Sequence, residues 1–221
     1  MATIDNGDSA DIVALVAIVD ANGDPPSAEA IEVAAVVLRG GGIVGVPTDT
    51  VYGLAADPFR AGATDRLFTV KRRPRTFELP VLVADIDQAL SLTTTVPPVA
   101  ERLMARFWPG ALTVVLPRRP DLNADLGSDD ATIGVRCPGH PVPLALCRVV
   151  GPLATTSANR HGDPPAETAV DLATQLGTCV GVVLDAGPCT GSPSTVVDCT
   201  GAEPRLLRAG RIPWSDVLAA L

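Results

Sequence analysis

The stretch SAEAIEVAAVVLRGGGIVGVPTDTVYGL, residues 27–54, sets out a helix, a stop, a buried strand and a polar strand end in succession. Ser27 can cap a helix in which Ile31, Ala34, Ala35 and Leu38 recur at helical spacing, and Gly40, Gly41 and Gly42 end the run. Residues 43–46 form a short continuous apolar run, as expected of a buried strand. Pro47-Thr48-Asp49-Thr50 then presents hydroxyls and a carboxylate at the strand end, and Gly53 permits close backbone approach. A plain loop would carry the same tetrapeptide, so this end alone does not establish a ligand site.

The pattern recurs downstream. A helix over about 64–72 offers Leu67, Phe68 and Val70 for burial and stops where Pro74 restricts Arg73. Further helices are predicted near 99–107, 143–150 and 168–176. Strands are predicted at 81–83, 111–116, 132–136, 153–156, 180–184, 195–198 and 205–207. Trp108-Pro109-Gly110 makes the turn into the strand at 111–116. This alternation predicts an α/β or α+β fold, a sheet with covering helices, and leaves strand order open. Residues 1–26, ending in the breaker-rich Asn22-Gly23-Asp24-Pro25-Pro26, stand apart as an N-terminal extension in which 12–19 reads as an added strand or short helix. Residues 27–221 then form one domain.

Composition narrows the function. With 221 residues and 47% apolar content the chain can bury a sizeable core. A net charge of −8 argues against broad attraction to nucleic acid, though not against one local basic groove. The five cysteines form no C-x-x-C pair and read as neither a disulfide framework nor a zinc site, which fits a reducing cytoplasm. The apolar run at 12–19 is too short to span a bilayer and follows Asp5, Asp8 and Asp11, so a soluble protein with no membrane association is expected.

Two distant clusters carry the chemistry. Lys71, Arg72, Arg73 and Arg75 crowd a helix exit in an acidic chain. Their charges could serve the helix carbonyls and dipole, or clamp a phosphate. Thr156-Ser157-Ala158-Asn159 lies at the carboxyl end of a strand, where ligands bind in open α/β sheets and where turn chemistry also occurs. Ser194 opens a strand, and Arg136 and Arg208 close others. His140 and His161 are the only histidines, so a triad or multi-histidine metal site has little to draw on. Rossmann and P-loop glycine patterns are absent, and no activated nucleophile is evident.

In order along the chain stand Pro47 to Leu54, Lys71-x-Arg73-Pro74, Trp108-Pro109-Gly110-Ala111-Leu112-Thr113, Val135-Arg136-Cys137-Pro138, Thr156 to Asn159, Pro193-Ser194-Thr195-Val196-Val197-Asp198 and Leu207-Arg208-Ala209-Gly210. As a set they resemble the threonylcarbamoyl-adenylate synthases of the YrdC-like fold over about residues 27–212. The resemblance implies a twisted mixed β-sheet with covering helices around a concave basic cavity. It also implies an enzyme joining L-threonine, bicarbonate (or CO2) and ATP into threonylcarbamoyl-adenylate and pyrophosphate. That product would serve modification of adenosine 37 in tRNA through downstream threonylcarbamoyl-transferase proteins. ATP is then a substrate, with Mg²⁺ assisting.

Carried over residue by residue, the resemblance gives Lys71 and Arg73 catalytic contacts to the phosphates. Thr48, Thr50 and Tyr52 go to the threonine and carbamate end, Arg136 to the threonine carboxylate, and Ser157 and Asn159 to phosphate or nucleotide. Thr113, Ser194 and Arg208 are further ATP or threonine contacts. The chain departs from many relatives at Leu82, the position nearest a family histidine, and its end soon after Trp214 places it with the single-domain form. Two other readings share the cavity: a paralogue handling carbamoyl-adenylate, as in hydrogenase maturation, and a non-catalytic protein binding double-stranded RNA or tRNA.

Overall fold

A computed structural model describes residues 16–72, 74–127, 131–160 and 162–221. The expectations placed on residues 12–15, Arg73 and His161 therefore lie outside the described residues.

Among the described residues ten strands form one mixed sheet: β1 (Ala17–Asp20), β2 (Val44–Val46), β3 (Gly53–Ala56), β4 (Val81–Leu82), β5 (Leu112–Pro117), β6 (Thr132–Arg136), β7 (Leu153–Ser157), β8 (Val182–Asp185), β9 (Thr195–Asp198) and β10 (Arg205–Arg208). Their spatial order is β1-β8-β2-β3-β7-β4-β6-β5-β9-β10. Seven described α-helices accompany them: α1 (Ala28–Arg39), α2 (Ala63–Lys71), α3 (Ile86–Leu92), α4 (Pro98–Phe107), α5 (Pro141–Val150), α6 (Ala169–Leu176) and α7 (Trp214–Ala219). The expected α/β class holds. The strand at Ala17–Asp20 pairs in parallel with β8, so the sheet draws its edge from the segment set apart by Asn22–Pro26.

Local chemistry accounts for the helix ends. Ser27 Oγ accepts from the Ala30 amide at 3.4 Å, and α1 buries Ala30, Ile31, Ala34, Ala35 and Leu38 along one stripe. Thr168 and Asp171 form a reciprocal capping box on α6. Three elements escaped sequence reading. The segment Gly-Leu-Ala-Ala has little strand propensity and becomes β3 only because Gly45↔Leu54 and Leu54↔Thr156 pairing satisfies its backbone on both sides. The short helices α3 and α7 bury only Ala89 with Leu92, and Val217, too few positions for a visible period.

Strand alternation divides the core. Leu54 and Ala56 join one apolar cluster with Leu67 and Phe68 of α2, Leu103 and Met104 of α4 and Leu172 of α6. Ala55 between them joins a second with Ile31 and Leu38 of α1 and Leu146 of α5. Val183 and its neighbours Val182 and Leu184 split in the same way. Each fully buried Leu or Ile in these clusters contributes about 1.5–3 kcal/mol of transfer free energy.

The second face is only partly apolar, and that positions the site. Along β7 it passes from Leu153, in the α1–α5 core, to Thr155 and Ser157. Along β4 it passes from Leu82 back to Pro80 and Glu78, and along β6 it carries Gly134 and Arg136 opposite Ile133 and Val135. Where the helices stop, the sheet keeps a polar surface.

Candidate active site

That surface floors a cavity of about 400 Å³, within the size range of small-molecule sites. Thr48, Thr50, Arg136, Ser157, Ser194 and Arg208 all line it, together with Val46, Val51, Gly53, Phe77, Glu78, Pro80, Leu82, Thr155, Thr156 and Pro193. Six residues expected from separate motifs thus share one hollow.

Lys71 closes α2 with its side chain fully buried. Its Nζ donates to Ser157 O at 2.9 Å, to Ser157 Oγ at 3.2 Å and to Asn159 Oδ1, while Ser157 Oγ donates to Asn159 Oδ1 at 2.7 Å. Lys71 and Asn159 stand behind the wall of which Ser157 is the exposed part. The amide of Asn159 is anchored in turn by Nδ2 donation to Arg160 O at 3.0 Å and Asp163 O at 2.6 Å. Burial of a cation here is stabilised by three oxygen acceptors. Arg72 ends α2 in the left-handed region at φ 48°, turning the chain sharply after Lys71.

Arg136 is a second buried cation. Its Nε donates to Gly110 O at 2.9 Å, Nη1 to Thr50 Oγ1 at 3.0 Å and Nη2 to Asp49 Oδ1 at 2.5 Å. Burial pushes the guanidinium pKa down and the Asp49 charge opposes this; an arginine remains charged in either case. Thr48 Oγ1 donates to Val51 O at 2.6 Å and receives the amides of Thr50 and Val51, so it shapes the loop that presents Thr50. Arg208 donates from Nε and Nη2 to Ser194 O and from Nη2 to Ser194 Oγ, and Ser194 Oγ meets Thr113 Oγ1 at 2.9 Å. Gly210 backs this corner: a Cβ there would collide with Pro193 O and the Ser194 carbonyl carbon, so only glycine fits.

Besides Lys71 and Asn159, two further expected residues do not line the cavity. Thr113 lies behind Ser194. Tyr52 is wholly buried in the core beneath β3, and its hydroxyl donates to Gly187 O at 2.9 Å and meets Asp185 Oδ1 at 3.4 Å. Burial, with Asp185 beside it, pushes that phenol far above its ordinary range. Its aromatic ring followed the apolar face of the strand and not the polar loop before it.

Asp49, Thr155, Thr156, Phe77 and Glu78 were not among the expected contacts. Asp49 could have been suspected from a carboxylate between two threonines at a strand end. Nothing local marks Phe77 or Glu78. Leu82 pairs with Arg136 across β4 and β6 and gives the cavity an apolar wall there.

The remaining titratable groups offer little competing chemistry. Burial pushes the Cys137 and Cys199 thiols up to about 11 and about 12, and it also raises those of Cys147 and Cys189. Among the described residues no cluster of three metal-ligating side chains exists, and no helix is long and apolar enough to cross a membrane.

His140 has a structural role, since its Nδ1 accepts the Val142 amide at 3.2 Å and caps α5. Burial pushes its pKa below 6.5, with Asp49 opposing. The unfolded chain therefore binds the proton more readily, and this contribution is fully present above about pH 6.5 and lost as pH falls through the folded value. Urea titrations from pH 7 to 5 are expected to show stability falling more steeply for the wild type than for His140→Asn, which caps without titrating. Equal slopes would refute this role.

A family model, Sua5/YciO/YrdC, described as "Telomere recombination", matches residues 36–210. A Mycobacterium tuberculosis protein is 43% identical over 185 residues, 83% of this chain and 85% of its own length. Threonylcarbamoyl-AMP synthase of Bacillus subtilis is 40% identical over 201 residues, 90% of this chain and 57% of that protein. The crystal structure of Pyrococcus abyssi Sua5 complexed with L-threonine superposes with a TM-score of 0.83 at 33% identity, covering 92% of this chain and 60% of that one. The chain thus spans under two thirds of these last two relatives. With the family model, the identities and the shared sheet in agreement, this chain belongs to the Sua5/YciO/YrdC family.

Proposed function

We infer that the chain is an L-threonylcarbamoyladenylate synthase, forming threonylcarbamoyl-adenylate and pyrophosphate from L-threonine, bicarbonate or CO2, and ATP. The observation that carries this reading is the single cavity in which Thr50, Arg136, Ser157, Ser194 and Arg208 meet, with Lys71 hydrogen-bonded to Ser157 in its wall. A relative bearing the synthase name and another solved with L-threonine support it.

The roles follow from charge. Arg136 takes the threonine carboxylate, and Thr48 and Thr50 orient the amine end beside it. The neutral amine adds to CO2 and releases a proton, giving a carbamate. A carbamate oxygen then attacks the α-phosphorus of ATP, the bond to the β-phosphate oxygen breaks, and pyrophosphate leaves with the electron pair. Negative charge grows on the phosphoryl and leaving oxygens, where Lys71, Arg73 and Arg208 would stabilise it and Ser157 and Asn159 would hold it in line. Thr113 and Ser194 support the Arg208 side. Tyr52, wholly in the core, serves by holding the β3 backbone under the threonine end.

Mg²⁺ fits this donor set only as an ion arriving with its phosphates, since Glu78 is the one carboxylate among the described lining residues. When bound, it would neutralise phosphate charge. Residues 27–221 are the catalytic unit, and 1–26 an extension. The product would pass in the cytoplasm to a transferase acting on adenosine 37 of tRNA, and any contact with tRNA itself would be local, given a net charge of −8.

Incubation with ATP, bicarbonate and isotopically labelled threonine is expected to give a product whose mass contains adenylate, carbonyl and threonine, with one pyrophosphate per product. Salt-sensitive RNA binding without turnover would refute the synthase and favour a binding module. An adenylate formed without threonine when a carbamoyl donor is supplied would point to the carbamoyl-adenylate paralogue.

A further inference from the structure

Resting on the synthase reading, we propose that Phe77 is the platform on which the adenine of ATP stacks, and so a residue that selects the base. Among the described residues lining the cavity it is the one aromatic, in a chain with 3% aromatic content, and it is 52% exposed. Phe68 and Tyr52, by contrast, are buried in the core. An apolar ring half in water at a cavity mouth gains by being covered further, and a flat purine covers more of it than a pyrimidine does.

The position along the cavity agrees. Strands β4 and β7 run antiparallel, with Leu82 beside Leu153 and the Thr155 amide donating to Pro80 O at 2.9 Å. Continuing in that direction, β7 reaches Ser157 and the other segment reaches Glu78 and Phe77. Arg136 lies at the opposite end, paired with Leu82. The four steps along the chain from Glu78 to Leu82 span up to about 14 Å when extended, the scale of an aminoacyl group, a phosphate, a ribose and a base laid end to end. Threonine at Arg136 and phosphate at Ser157 leave the base at Phe77.

The segment carrying Phe77 is held in place. The Phe77 amide donates to Pro74 O at 3.2 Å and the Leu79 amide to Leu126 O at 2.8 Å. Gly127, at φ +129°, lets the two segments close: a Cβ there would lie 2.7 Å from Phe77 O and 3.0 Å from Arg75 O. Arg75 ties the same turn down through Asp65 and Asp125 and lies 4.8 Å over the Phe68 ring. A platform mounted this way is preorganised, so little order is lost on binding.

Phe77→Ala is expected to raise the KM for ATP roughly 5- to 100-fold, leave the KM for threonine within about twofold, and weaken discrimination of ATP from UTP. Phe77→Trp is expected to restore the ATP KM. Its fluorescence, after subtraction of the wild-type signal from Trp108 and Trp214, should be quenched by ATP and not by inorganic triphosphate. An active enzyme whose ATP KM is unmoved in Phe77→Ala, or a Trp signal quenched equally by triphosphate, would overturn the platform and leave the synthase standing. Quenching by ATP in a protein that makes no threonine adduct would uphold the platform and refute the synthase.

Discussion

Replacing Lys71 with Met is expected to lower the rate of pyrophosphate release by at least about a hundredfold while the protein still folds. Two losses combine. The ammonium is the fixed positive charge held against Ser157, whose hydroxyl lines the cavity, and it acts through a buried, weakly screened environment. The same ammonium orients Ser157 and Asn159 through three hydrogen bonds, so its removal also frees the wall proposed to hold the phosphate. Methionine keeps the apolar stem and its packing at the end of α2, which isolates the charge from the cavity that alanine would leave. The check pairs a pyrophosphate-release assay with a thermal melt. Activity within about threefold of wild type in a folded Lys71→Met protein would remove Lys71 from the chemistry.

Replacing Arg136 is expected to have two separable effects. Arg136→Ala leaves Asp49 without its partner at a site where both side chains are largely buried, and breaking such a pair costs about 3–5 kcal/mol. It also removes the guanidinium proposed to take the threonine carboxylate, so the threonine KM is expected to rise about a hundredfold or more. The double variant Asp49→Ala, Arg136→Ala separates the two: stability returns in large part because no carboxylate is stranded, while threonine use does not. Chemical denaturation and threonine saturation kinetics on the wild type and the two variants test this. An unchanged threonine KM in Arg136→Ala, or a double variant that recovers threonine use, would contradict the assignment.

Lys71 and Arg136 show how unevenly a site is written into a sequence. Lys71, Arg136, Ser157 and Arg208 were each visible as polar residues at the ends of regular elements, and their family order made them stand out together. What each one touches was not visible. Lys71 meets Asn159 across 88 positions, and Arg136 meets Asp49 across 87. Such pairings depend on the strand order β3-β7-β4-β6, which no local propensity specifies. Tyr52 shows the reverse error. Its place beside Thr48 and Thr50 suggested a ligand contact, but strand alternation one residue later carried its ring to the core face. Phe77 was silent for the same reason, since a turn's composition says nothing of which cavity lies beneath it.

By itself the chain determined five of the seven described helices through caps and 3.6-residue periods, most of its strands through short apolar runs, and its α/β class through their alternation, because these depend on interactions within a few residues. Tertiary structure alone decided that β3 is a strand, that the helices leave part of one sheet face bare, and that distant cations converge there. Those outcomes are set by backbone hydrogen bonds and packing between segments far apart in the chain, whose partners exist only once the sheet has closed.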